Sequence, residues 1–428
     1  MIRHRICFVL IACWLFSGCL VGTSESFEPV TDRDSGAPLE WPDARIDAGR
    51  PVVDAGIPVA DASPDGDAED AEQLDAQPDV DAPTPPPNLT AHFTNPVDGE
   101  SPDLTLEDVL LDLIAQTPAG ATIRGSYFTW SRTRMARAFG DALDRGVDVR
   151  LVIGNGSRHE DGTDWAAVKI LKERLGDRLT ICEAGKPDGA CIGTGINHNK
   201  FVVFSELEDG SRDVVFQSSA NLTRPQLVEY NNAVTIRNDA TLYQAYLDYW
   251  ADLQADATNL DYYRSTKGEL GTKVYFFPRS SGDTIVAILG NVRCEVGARV
   301  RVTMAYFTNA RIEIARALRQ MAIDGCDIGV ATRTGELLGD EVVAELTHPE
   351  VDLAVLPGAE LPTIHSKYMF VDGAYGTNAT QQRLVWTGSH NFTGTALRIN
   401  DETLLKISDD AVFEAYDADW TRIRSRVP

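Results

Sequence analysis

The chain carries the same α/β pattern twice, and this repeat limits its fold more than any other feature of its 428 residues. The strand-like run Ile123 to Thr129 ends in Tyr127-Phe128-Thr129, and residues 299 to 308 end in Tyr306-Phe307-Thr308, 179 positions later. Each run feeds a helix. Met135, Ala138, Phe139, Ala142 and Leu143 recur at helical spacing, and Ile314, Ala317, Leu318, Met321 and Ala322 stand at the same offset. Gly146 and Gly325 close these helices. Strands follow at Val147 to Ile153 and Asp327 to Thr332. Further on the offset becomes 170, where Tyr246 and Trp250 match Tyr416 and Trp420. Two α/β units of roughly 165 residues each account for this pattern. They divide the folded part into residues 91–262 and 263–428, with Ala257 to Gly271 at the junction. Such a pair packs about a pseudo-two-fold axis, with a shared site between its members.

The rest of the chain is different. Residues 20–90 hold 17 acidic residues against three basic ones, a net of −14, and 11 of the 21 prolines. They show neither helical nor strand period, so they read as a disordered, self-repelling tether. Before them, Arg3 and Arg5 precede a short apolar run from Ile6 to Gly18. That run is too short to span a bilayer and has the layout of a secretory signal, residues 1–19. It ends Leu15-Phe16-Ser17-Gly18-Cys19, which resembles the lipobox of bacterial lipoproteins, with Phe16 where Leu or Val is commoner. The resemblance implies lipidation of Cys19 and an exported protein held at the cell envelope, or a secreted one. By the sorting rule of that family, Leu20 after Cys19 favours an outer membrane. Of the total charge of −25, residues 91–428 keep only −13. This mild acidity, without any Lys/Arg run, weighs against nucleic acid as a partner.

Two of the seven histidines stand in a His-x-Lys pattern, His198-Asn199-Lys200 and His365-Ser366-Lys367. Each opens an apolar strand, on which residues two apart face the same side. Each is followed by a second strand ending in a small-residue turn, Ser218-Ser219-Ala220-Asn221 and Gly388-Ser389-His390-Asn391. The pattern His, Lys, Ser, Asn thus occurs once per copy. This doubled motif resembles the phospholipase D superfamily, whose members carry two HxKxxxxD motifs, each with a following GSxN. The resemblance covers nearly all of residues 91–428 and implies a site of His198, Lys200, Asn221, His365, Lys367 and Asn391, supported by Ser219 and Ser389. It further implies an α/β fold of two tandem units, each a mixed, mostly parallel sheet flanked by helices. Copy two is complete, with Asp372 in the motif and Glu402 placed 11 after Asn391. Copy one has Ser205 for the motif Asp, Ser218 for Gly, and Asn232 at the place of Glu402.

These residue types suit phosphodiester cleavage through a covalent intermediate. One imidazole attacks phosphorus and the other protonates the leaving alkoxide. Two fixed ammonium groups stabilise the developing charge, each such donor being worth roughly 3 kcal/mol. No HExxH, CxxC pair or dense carboxylate cluster is present, so no metal and no cofactor are expected. The resemblance assigns His198 as nucleophile and His365 as general acid/base, and the residues themselves leave the reverse assignment open. Glu402 is expected to orient a copy-two imidazole, and Asn232 to do so less strongly. His390 is expected to line the pocket; His92, His159 and His348 are expected at the surface or in caps. Tyr127, Phe128, Trp130, Tyr306 and Phe307 are expected mostly to pack the core.

Outside the signal stand Cys182, Cys191, Cys294 and Cys326, an even number that reads as a disulfide framework. Three pairings are possible; Cys182 with Cys191 is favoured because it closes a loop just before His198. Three functions compete. A lipid phosphodiesterase, hydrolase or phosphatidyltransferase, acting as a monomer, leads. A metal-independent nuclease and a non-catalytic, surface-tethered phosphate or lipid binder stand behind it.

Overall fold

Strand β1 (Leu89–Phe93) opens the first half, followed by α1 (Thr105–Ala115), β2 (Thr122–Tyr127), α2 (Thr133–Asp144) and β3 (Asp148–Gly154). Then come α3 (Ala166–Leu175), β4 (Leu179–Cys182), β5 (Lys200–Glu206), β6 (Arg212–Ser218), β7 (Asn232–Ile236) and α4 (Ala240–Ala255). The second half runs β8 (Arg264–Lys267), β9 (Lys273–Phe277), α5 (Thr284–Leu289), β10 (Arg299–Met304), α6 (Ile312–Ile323), β11 (Asp327–Arg333) and α7 (Asp340–Leu346). It ends with β12 (Val351–Leu356), β13 (Lys367–Tyr375), β14 (Asn378–Gly388), α8 (Gly394–Arg398), β15 (Glu402–Ile407) and α9 (Asp410–Arg424). This computed structural model describes residues 86–159, 162–182, 189–357 and 362–427, all within one unit, Gly49–Pro428. The signal, Cys19 and all but the last five residues of the expected tether lie outside the described residues. Leu89 and Thr90, assigned to the tether, belong to β1, because they pair with Ile236 and Thr235 of β7. Among the described residues no helix is long and apolar enough to cross a membrane.

The first half forms a sheet of order β1-β7-β6-β5-β2-β3-β4, the second one of order β12-β11-β10-β13-β14-β15-β9-β8. Both are mixed, but the expected parallel majority is not found. Only β2-β3-β4 and β10-β11-β12 are parallel. The cause is connection length. Those strands are joined by helices, which parallel pairing requires, whereas β5-β6 and β13-β14 follow one another through short turns. Helices α4 and α9 lie between the sheets. Tyr246 of α4 packs edge-on against Phe201 and Phe276, and Tyr416 of α9 against Phe93 and Tyr368, each reaching both sheets.

The helices of the repeat form as read, with Met135, Phe139 and Ala142, and Ile314, Leu318 and Met321, buried. Gly146 and Gly325 follow them at φ of 95° and 96°, a left-handed turn that favours glycine. The Tyr-Phe-Thr triplets, however, are not equivalent positions. Arg124 bonds the backbone and carboxylate of Asp148 and lies over Trp250; Arg301 does the same to Asp327 and Trp420. This places the strand offset at 177. A 3-10 turn at Asn309–Arg311 inserts the two residues that restore 179 in the helix.

Both disulfides form, Cys182–Cys191 and Cys294–Cys326, with Cα atoms 4.9 and 4.8 Å apart. The second spans 32 residues, so its closure entropy is worth roughly 3–4 kcal/mol. The double variant Cys294→Ser/Cys326→Ser is expected to unfold at a Tm lower by about 5 °C or more in calorimetry, with the site intact.

Candidate active site

Each motif lysine begins a strand: Lys200 opposite Tyr127, and Lys367 opposite Met304. Just before each strand the chain crosses to the other half. The His198 N–H donates to Asp401 O (3.0 Å), and the His365 N–H donates to Tyr230 O (2.9 Å). This exchange sets which residue holds which imidazole. His198 Nδ1 lies 2.9 Å from Glu402 Oε2, and that oxygen also accepts from Ser389 Oγ (2.5 Å). Asn400 Nδ2 donates to the other carboxylate oxygen at 3.2 Å. His365 Nδ1 lies 2.9 Å from Asn231 Oδ1, which also accepts from Ser219 Oγ (3.0 Å).

Two expectations are corrected. Glu402 orients the copy-one imidazole, not a copy-two one. Asn231, which sequence reasoning missed, stands at the place given to Asn232. Asn232 instead donates to Thr387 Oγ1 and Tyr416 OH, and its Oδ1 accepts the Lys367 N–H, tying the halves together. The backbone explains the slip. Ser219 N bonds Asn232 O, and Ser389 N bonds Thr403 O, so the offset here is 171.

The lysines close the site. Lys200 Nζ donates to His198 O (2.8 Å) and lies over the Phe128 ring. Lys367 Nζ donates to His365 O (2.7 Å) and contacts both ring nitrogens of His365, at 3.1 and 3.3 Å. Asn231 Oδ1 only accepts and so favours the proton on His365 Nδ1, which leaves Nε2 as the ring's acceptor. Asn221 and Asn391 are buried, and Asn391 Oδ1 has no hydrogen bond among the described residues.

Burial, then the two ammonium groups, holds both imidazoles well below their usual pKa, so they are neutral in the free protein. Burial pushes the Glu402 carboxyl up to about 8, against the pull of Lys200 and its hydrogen bonds. Its three neighbours are all donors, so the bonds are built for the ionised form. His390 is buried against Phe277, with ring centroids 4.4 Å apart, and falls to about 3, again mainly through burial.

Asp372 of β13 pairs with Arg299 at the start of β10, and at the equivalent place Ser205 Oγ accepts the Thr122 N–H. Both hold strand register, away from the chemistry. His92 is half-buried and bonds Thr235, rather than lying at the surface; burial lowers it to about 4. His159 packs on Trp165, and His348 Nδ1 accepts the Glu350 N–H. Tyr127, Trp130 and Phe307 pack the core, whereas Phe128 and Tyr306 flank His198 and His365. No group of three or more His, Cys, Asp or Glu among the described residues is placed to hold a metal ion.

Four histidines with lowered pKa (92, 198, 365 and 390) take up protons more readily when unfolded. Stability is therefore lost as pH falls from about 6.5 toward their folded values. Glu402 acts in the opposite sense between 4.5 and about 8, and the raised carboxyls of Asp213 and Asp419 act with it from 3.8 upward, against four imidazoles. Tm is expected to drop by several degrees between pH 7 and pH 5, measured by calorimetry.

Residues 110–253 and 295–424 match the family described as "Cardiolipin synthase, PLD-like domain". No curated protein sequence matches the chain. Among solved structures, phosphatidylserine synthase from Haemophilus influenzae Rd KW20 is similar at 14% identity, over 75% of this chain and 83% of that one, with a TM-score of 0.53. Polyphosphate kinase from Porphyromonas gingivalis is similar at 11% identity over 77% of this chain, with a TM-score of 0.50. The chain spans about half (49%) of the length of that kinase. At such identities the likeness concerns the fold, which both share with the two-sheet arrangement seen here. The matched family, the doubled motif and the paired halves together establish that the chain belongs to the PLD-like family of the phospholipase D superfamily, whose members act on phosphodiester bonds.

Proposed function

We propose that the protein cleaves or transfers the headgroup of a phospholipid through a phosphohistidine on His198, with His365 as general acid and then base. The observation that carries this reading is the asymmetric pair of imidazole partners. A carboxylate holds His198 Nδ1, and an uncharged amide holds His365 Nδ1. A carboxylate directs the Nδ1 proton of His198 toward itself and stabilises positive charge on the ring as Nε2 bonds to phosphorus. Lys200, Lys367 and the two asparagines surround the phosphoryl oxygens, where charge develops. Burial and then the two ammonium groups hold His365 down; the bound phosphodiester anion offsets the ammonium groups and favours the imidazolium with substrate present. It then protonates the leaving oxygen and afterwards takes a proton from water or an alcohol.

A lipid substrate is supported by the mild acidity of residues 91–428 and by the lipobox-like end of the signal. The reading includes an exported protein anchored through Cys19 to the envelope, at an outer membrane or cell surface. The two disulfides accord with an oxidising compartment. One chain supplies both half-sites, so a monomer suffices. Cys19→Ser is expected to move the protein from the membrane to the soluble fraction on cell fractionation; an unchanged distribution refutes the anchor.

The purified protein is to be incubated, without added metal, with phosphatidylcholine vesicles, phosphatidylglycerol vesicles and plasmid DNA. Headgroup release that disappears in His198→Ala and in His365→Ala is the expected result. DNA cutting without headgroup release would favour a nuclease, and tight vesicle binding without turnover would favour a binder.

A further inference from the structure

The two half-sites differ in one respect that the doubled motif does not explain. Residues 189–198 run beside residues 399–402 of the other half. Thr194 N and Gly195 N both donate to Ile399 O, Ile196 N donates to Asn400 Oδ1 (3.2 Å), and Asp401 N donates to Ile196 O. The Asp401 side chain, fully buried, lies at the centre of this contact. Its carboxylate accepts three successive backbone N–H groups, from Cys191 (2.5 Å), Ile192 (3.1 Å) and Gly193 (2.6 Å). Such a run of backbone amides is an anion nest, and it satisfies a charge that would be costly to bury alone. The approach is so close that a Cβ on Gly193 would stand 1.8 Å from Ile399 O. Cys191, the first donor, is bonded covalently to Cys182 at the end of β4. The position equivalent to Asp401 in the other half is Tyr230, which has no carboxylate. Among the described residues the clasp is therefore found on the His198 side.

We propose that Asp401 is a positioning residue for His198, and that the Cys182–Cys191 bridge anchors the nest it grips. Asp401 O receives the His198 N–H, and the next residue, Glu402, holds His198 Nδ1. Seating the Asp401 side chain therefore fixes the backbone contact and the ring contact of His198 at once. Among the described residues, the side chain at the Tyr230 position makes no equivalent contact for His365. The proposal rests on the reading of His198 as the attacking group. It adds that the precision of this half-site is set from outside the motif, by a disulfide-tied loop.

Asp401→Asn exchanges one acceptor oxygen for a donor facing backbone N–H groups and so opens the clasp while keeping its volume. On short-chain phosphatidylcholine, kcat is expected to fall about tenfold to a hundredfold, with KM within about twofold. Cys182→Ser/Cys191→Ser is expected to do the same. The triple variant should lose no more than the worse of the two, because both act through one contact. Multiplied losses, or full activity in either variant, would overturn the proposal. Imidazole ¹⁵N NMR supplies a readout that needs no turnover. The His198 ring is expected as a single Nδ1–H tautomer in the native protein and as a mixture in both variants, with His365 unchanged. Equal disturbance of both rings, or of neither, would refute positioning. If the native protein turns over no phosphodiester, the functional reading fails and the NMR result alone decides the clasp.

Discussion

His198→Ala is expected to lose about 10⁴-fold or more in kcat on any phosphodiester, with no burst of leaving group. It removes the atom that bonds to phosphorus, and with substrate bound the protonated His365 cannot replace it. His365→Ala is expected to behave differently. With an ordinary alkoxide leaving group it loses a comparable factor. With bis(p-nitrophenyl) phosphate the leaving group departs without an acid. The first step then proceeds, one equivalent of p-nitrophenolate appears in a burst, and the covalent intermediate persists because no base activates water. Rapid-mixing absorbance separates the two. A burst in His198→Ala with none in His365→Ala would reverse the assignment. This reversal matters, because the sequence alone leaves it open and only the partner residues distinguish the rings.

The second large effect concerns those partners. Glu402→Gln keeps the shape of the side chain but removes the charge that holds the Nδ1 proton of His198. A loss of about 10²–10³ in kcat is expected, against about tenfold for Asn231→Ala, which removes a neutral acceptor. The pH profile carries the sign. Burial pushes Glu402 up to about 8, so below that pH the carboxyl carries a proton and no longer accepts from His198. The kcat/KM of the free protein is therefore expected to rise with pH through about 8, and Glu402→Gln should abolish that limb. A profile that falls over the same range, or an unchanged limb in the variant, would show that Glu402 does not act through its charge.

Why the partners escaped sequence reasoning is a matter of compensating lengths. The motif residues were legible because each carries its own local signal. A strand places His and Lys on one face, and a small-residue turn places Ser and Asn. Their partners carry no such signal. Ser389 to Glu402 is one residue longer than Ser219 to Asn231, and the link from β15 to α9 is one shorter than its counterpart. Asp239 and Asp409, both N-caps, thus return to an offset of 170. Counting from Asn221 or back from Tyr246 therefore lands on Asn232, although Asn231 is in place. Likewise, the matching Tyr-Phe-Thr triplets invite an alignment that the inserted turn at Asn309–Arg311 breaks. The crossing of each His segment to the opposite half is a long-range pairing, so nothing local announced that Glu402 would serve His198. Asp401 was invisible for the same reason, since its three donors lie about 210 positions away in sequence. The disulfides were legible because the short loop pairs Cys182 with Cys191, and an even count then leaves Cys294 for Cys326.

The most direct test of the account is to quench the reacting protein within milliseconds of adding substrate and locate the covalent phosphoryl adduct by mass spectrometry under alkaline conditions. The account predicts a phosphohistidine on the peptide that contains His198, enriched in His365→Ala. An adduct on the His365 peptide, or steady turnover with none on either histidine, would contradict it.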